Sequence, residues 1–142
     1  MPFTLSERSL TALVGVDPRL VAVVRRAIEI TKVDFMVVEG VRTQARQSEL
    51  YAQGRTKPGK IVTWTRISRH MRNPVTGWGE AVDLLPAPYD WKDVRGFDAV
   101  ADAMMQAARE KGVKLRHGAD WDGDGARREK GETDNPHFEL AK

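Results

Sequence analysis

The chain has 142 residues, 41% hydrophobic and 30% charged, with no cysteine and a formal net charge of +3. Those values fit one globular domain spanning residues 1–142, and they exclude a disordered chain, a disulfide scaffold, a thiolate metal site and a cysteine nucleophile. No apolar run reaches the length of a membrane span, so stable membrane insertion is not expected. The first residues, Met1 to Arg8, lack the basic and apolar regions of a signal peptide, which predicts synthesis in the cytoplasm.

Asp17-Pro18 reads as a helix cap followed by proline at the first helical position. Leu20, Val21, Val24 and Ile28 then recur at helical spacing, predicting an amphipathic helix over 18–32. Residues 34–40, DFMVVEG, have the bias of a short strand. Thr43 can cap a second helix over 43–54, ended by Gly54. Residues 55–79 lack periodicity and contain Pro58, Gly59, Pro74, Gly77 and Gly79, which predicts a long loop of the kind that carries function. EAVDLLP (80–86) reads as a central strand, 96–111 as a helix stopped by Gly112, and 113–118 and 137–141 as strands. The implied class is α+β: a small, largely antiparallel sheet with packed helices.

The charge is uneven along this order. Between residues 41 and 72 eight arginines and lysines stand against Glu49 alone. Such a stretch is either solvated surface or a surface that attracts a polyanion. No basic aromatic strand or helix-turn-helix accompanies it, so no nucleic-acid partner is expected.

Asp83 poses a sharper question, because it lies among the small apolar residues of a predicted core strand. A buried carboxylate has to be paired, hydrogen-bonded or bound to a metal. His70 lies in the long loop just before that strand, and His137 opens the last strand. Two imidazoles and one carboxylate suit zinc, and a fourth position left to water makes such a site catalytic. The competing reading pairs Asp83 with one of the many arginines.

The surrounding residues resemble a family of zinc peptidases that act on peptidoglycan. It includes D-Ala-D-Ala carboxypeptidases, vancomycin-resistance D,D-dipeptidases and phage L-alanyl-D-glutamate endopeptidases. The resemblance is carried by Ser68-Arg69-His70, by Gly79-Glu80-Ala81-Val82-Asp83, and by Asp134-Asn135-Pro136-His137. GVRTQARQSELYAQG (40–54) and GADWD (118–122) add to it, so the matches span about residues 18–142. It implies a Hedgehog/D,D-peptidase-like fold with His70, Asp83 and His137 as zinc ligands. It further implies Asp134 as general base and Arg42 as a clamp on substrate or transition state. Ser68 is read as a substrate or ligand hydrogen-bonding residue, or else as a loop cap. Glu132 and Glu139 are rival candidates for the base.

One departure stands out. Family members usually have a short gap between the first His and the Asp, whereas here residues 71–78, MRNPVTGW, intervene before Gly79. Asn73-Pro74 and Thr76-Gly77 are turn formers, so a projecting turn is expected. A further feature is DWDGDG (120–125). Asp120, Asp122 and Asp124 alternate before a glycine as at the opening of a calcium loop, but the acidic residue due at position twelve comes one later, at Glu132. Calcium binding and a plain solvated turn are both open readings.

The leading functional expectation is an endolysin-type enzyme cutting the L-Ala-D-Glu bond of the cell-wall stem peptide. It is expected to be a monomer that reaches the wall after release by a separate membrane-permeabilising protein. The alternatives are a D-Ala-D-Ala carboxypeptidase or dipeptidase, and a non-catalytic, zinc-containing wall-binding module. Asp134 counts against the last.

Overall fold

The computed structural model of the chain describes residues 3–61, 69–120, 123, 127–128 and 134–141, with Gln44 described for its backbone alone. The N-terminal segment forms a short helix, α1 (Glu7–Ala12), that the sequence pattern does not announce. Ser6 caps it by accepting from the Ser9 amide. Ser9 is buried, and its hydroxyl accepts the Val37 amide at 3.0 Å, docking α1 on the first strand.

α2 (Pro18–Ile30) begins where Asp17 and Pro18 predict, with the Asp17 carboxylate accepting from the Arg19 amide at 2.9 Å. It ends two residues before the expected boundary, at a Thr31 cap in extended conformation. β1 (Phe35–Glu39) follows, then α3 (Gln44–Ala52), capped by the Thr43 hydroxyl. β2 (Ala81–Pro86) is the central strand foreseen from the sequence. α4 (Val94–Lys111) starts earlier than expected because Asp93 caps it by accepting from the Gly96 amide. It stops at Gly112, which adopts the left-handed conformation with φ +67°. β3 (Leu115–His117) and β4 (His137–Leu140) complete the order.

The four strands pair in the order β1-β2-β4-β3, antiparallel throughout. Strand alternation divides the sheet into two faces. Val82, Leu84, Phe138 and Leu140 join Leu20 and Val24 of α2 and Val100 and Met104 of α4 in one core. The opposite face carries Asp83, paired across the strands with His137, and Glu139, paired with Ala81. A shift of register between Val37 and Glu39 then brings Glu39, rather than Val38, opposite Asp83. Such a bulge re-aims a side chain at a strand end. The core stabilises the sheet, and the polar face is left to chemistry.

The predicted long loop contains order near the site. Arg72 pairs with Gly79, the Asn73 amide donates to the Trp78 carbonyl (2.8 Å), and Gly77 donates back to Asn73 (2.7 Å). The Asn73 side chain accepts from Val75 and donates to Glu80. The expected turn over 71–78 is thus a pinned excursion whose ends meet before β2 begins. Among the described residues, no helix is long and apolar enough to cross a membrane.

Candidate metal centre and active site

His70, Asp83 and His137 converge on the polar face of the sheet, with one ligand atom from each lying within 4.8 Å of the others. His70 Nε2 is 3.2 Å from Asp83 Oδ1, and His137 Nδ1 is 3.3 Å from the same oxygen. The two imidazoles meet edge to face at 5.1 Å. Both histidines are buried, and Asp83 is nearly so.

Proton counting shows what such a cluster needs. A carbonyl can only accept, so the contact between His70 Nδ1 and the Gly40 carbonyl (2.9 Å) places a proton on Nδ1. Neutral His70 then points a bare Nε2 lone pair at a carboxylate oxygen. His137 faces carboxylates at both nitrogens: Glu139 Oε1 at 2.8 Å from Nε2 and Asp83 at Nδ1. A neutral imidazole has one N–H for these two acceptors. Lone pairs therefore crowd on Asp83 Oδ1, and a cation among them resolves the conflict, either as added protons or as a metal.

Without a metal, the protein answers with protons. Burial favours neutral His137, but the hydrogen bonds to Asp83 and Glu139 outweigh it and push its pKa up to about 9. Burial likewise works against ionised Asp83, yet the hydrogen bonds from His137 and His70 hold its carboxyl far below the usual range. A divalent ion would take the place of those protons, and its ligands would be an unprotonated Nε2, an unprotonated Nδ1 and a carboxylate. The donor set fits a metal.

Glu139 is the residue that sequence reasoning treated only as a rival base. Its place is fixed by alternation: two residues after His137 in β4, it shares His137's face. It is buried and reaches back to His137 Nε2. Its second oxygen meets Arg69 Nε at 3.2 Å and Arg116 Nη1 at 3.7 Å. A carboxylate on the far nitrogen of a ligating histidine sets its tautomer and raises its basicity. The i, i+2 spacing in a strand was the available signal.

Asp134 lies beside the cluster, with Oδ2 3.9 Å from His137 Nδ1 and a half-exposed side chain. Partial desolvation, reinforced by the nearby Asp83 charge, raises its pKa. A carboxylate made more basic in this way is suited to accept a proton. Its backbone is held by β3. Asp134 donates to the Gly118 carbonyl (3.1 Å), and a Cβ on Gly118 would lie 2.2 Å from the Asp134 carbonyl oxygen, so only glycine permits that approach.

Arg42 follows β1 and is fixed by neighbours that no local pattern names. Its Nε and Nη2 bind both oxygens of Glu39, and Nη1 donates to the buried Gln47 at 2.8 Å. The Arg42 amide donates to the His70 carbonyl at 2.7 Å, joining this segment to the His70–Asp83–His137 cluster. Ser68, Asp122 and Asp124 lie outside the described residues, as does Glu132. Asp120 lies in the turn after β3, where its amide donates to the His117 carbonyl.

The chain as a whole is similar to known proteins. A family model for phage L-alanyl-D-glutamate peptidase matches residues 1–141. The chain belongs to this family. It is 36% identical to the L-alanyl-D-glutamate peptidase of Escherichia phage T5, across 99% of both chains. It is also 30% identical to the peptidoglycan L-alanyl-D-glutamate endopeptidase CwlK of Bacillus subtilis, over 76% of this chain and 61% of that protein. The crystal structure of the Serratia marcescens L-Ala D-Glu endopeptidase ChiX superimposes with a TM-score of 0.74 at 33% identity, covering 95% of this chain and 87% of that one. The chain is thus a peptidase with the α+β fold, and its family acts on peptidoglycan.

Proposed function

We propose that this chain hydrolyses the L-alanyl–D-glutamate bond of the peptidoglycan stem peptide, as a monomer, with zinc held by His70, Asp83 and His137. The observation that carries the reading is the meeting of two imidazole nitrogens on Asp83 Oδ1 in a member of this peptidase family. Ligand atoms about 2.0–2.1 Å from a tetrahedral zinc sit roughly 3.3 Å apart. The two separations from Asp83, 3.2 and 3.3 Å, support that ion. Zinc bound there would polarise the scissile carbonyl and acidify a water molecule.

The chain's own residues supply the rest. Asp134 takes a proton from the attacking water and delivers it to the leaving amine of the D-glutamate residue. Glu139 holds His137 in the ligating tautomer, and the Gly40 carbonyl does the same for His70. Arg42, immobilised by Glu39 and Gln47, retains one N–H on each terminal nitrogen for an oxyanion developing on the substrate.

Mass spectrometry of purified peptidoglycan digested with the zinc-loaded protein reads the bond directly. New N-terminal D-glutamate with C-terminal L-alanine is the expected product. Released D-alanine would instead assign a D,D-carboxypeptidase, and intact stems with bound protein would assign a wall-binding module.

A further inference from the structure

We infer that Arg72, at the neck of the 71–78 excursion, binds the free carboxylate of the D-glutamate residue and so sets specificity for the acid form of the stem. The inference rests on the L-alanyl–D-glutamate reading above. A D-glutamate whose amine forms the scissile bond has two carboxyl groups. Only one can continue the stem, so the other stays free within a few bonds of the reaction. An enzyme that recognises this residue needs a cation near the metal, on the leaving-group side.

Arg42 is a poor candidate for that task. Its charge is already balanced by Glu39, which grips Nε and Nη2 together, and its side chain is only 11% exposed. Beside it lies a cavity of about 250 Å³ lined by Val41, Arg42, Thr43, Met71 and Arg72. Arg72 is exposed and makes no ion pair among the described residues. The cavity therefore pairs one neutralised arginine with one uncompensated arginine, between the apolar walls of Val41 and Met71. Such walls strengthen a charge-assisted hydrogen bond to an anion.

Arg72 is also held in position. Its backbone pairs with Gly79, and the hydrogen bonds of Asn73 close the excursion directly beyond it. Its guanidinium rests over Gly15, where a Cβ would come within 3.3 Å of Arg72 Nη2 and 3.0 Å of Val41 Cγ2. Gly15 has φ +84°, a conformation that favours glycine, and a side chain there would also press on the seat. Arg72 lies two residues after His70, and the Arg42 amide is bonded to the His70 carbonyl, so metal ligand and cavity share one backbone junction.

The test uses zinc-loaded enzyme and two synthetic stem peptides, one with the free D-glutamate carboxylate and one with that group as a carboxamide. Wild type is expected to cut the acid with kcat/KM roughly 10- to 100-fold above the amide, the usual value of a hydrogen bond to a charged group. Arg72→Gln is expected to bring the two within about threefold, through loss on the acid alone, with zinc content and thermal unfolding unchanged. A preference that survives in Arg72→Gln, or one absent from wild type, overturns the inference while the bond assignment stands. Failure of wild type to cut either peptide between L-alanine and D-glutamate overturns both.

Discussion

Two buried histidines on neighbouring strands show how environment assigns roles. His117 ends β3 and His137 opens β4, and both are almost wholly inaccessible to solvent. His117 lies flat on Phe138, with ring centroids 4.5 Å apart and planes within 7°, and its Nε2 donates to the Asn135 carbonyl at 2.8 Å. Among the described residues no carboxylate is hydrogen-bonded to it. Burial dominates and lowers its pKa to about 4, so it stays neutral and secures the segment that carries Asp134. His137 is gripped by carboxylates at both nitrogens, and its pKa rises to about 9. One site rejects a cation and the other demands one. The difference lies in the partners, since burial alone pushes both the same way.

The contrast is broken most severely by removing a ligand. His137→Ala is expected to take zinc content, read by elemental analysis of purified protein, from about one per chain to near zero. Activity should disappear with it. His117→Ala should keep the metal. Full zinc in His137→Ala would overturn the ligand assignment. Next in size is Asp134→Ala. Kinetics on stem peptides should show kcat lower by roughly 100- to 10,000-fold, with zinc retained, as for loss of a general base. Wild-type turnover in that variant would return Glu132 as the base.

Glu139→Gln sharpens the comparison rather than breaking it. Glutamine can still accept from His137 Nε2, but it brings no charge to raise the imidazole's basicity. Changes of this kind typically cost 10- to 100-fold in metal affinity or activity. Chelator competition should therefore give a zinc Kd higher by about that factor, with the same stoichiometry at saturating metal. An unchanged Kd would reduce Glu139 to a partner for Arg69 and Arg116.

Much of this is legible in the sequence. Caps and stops at Asp17-Pro18, Thr43 and Gly112 marked helix ends, because these are local chemistry. The Asp83 anomaly marked the site, because a carboxylate in an apolar strand needs compensation. α1 escaped notice because six residues show too little periodicity, and its anchor, the bond from Val37 to Ser9, joins residues 28 apart. The Glu39–Arg42 pair escaped because it depends on a bulge in β1 that no local pattern signals. Glu139 could have been assigned from strand alternation alone. The role of His117 could not, since it turns on a carbonyl 18 residues away.

The smallest effect expected concerns that neutral histidine. Its folded pKa, about 4, lies below the ordinary value of 6.5. Between those values the unfolded chain binds a proton that the folded chain refuses. The stability due to keeping His117 neutral is therefore complete above about pH 6.5 and is lost as pH falls toward 4. The full shift corresponds to at most about 3 kcal/mol. Acid also protonates the His70–Asp83–His137 cluster, so the wild-type curve alone does not isolate this contribution. His117→Phe keeps an aromatic ring against Phe138 and has nothing to titrate, and it gives up the bond to Asn135 at every pH. Urea unfolding at pH 7.0 and pH 4.5 should show a smaller acid loss in His117→Phe than in wild type, by 1–3 kcal/mol on the same estimate. Parallel losses would mean that His117 ionises in place, and the opposition between the two histidines would then rest on geometry alone.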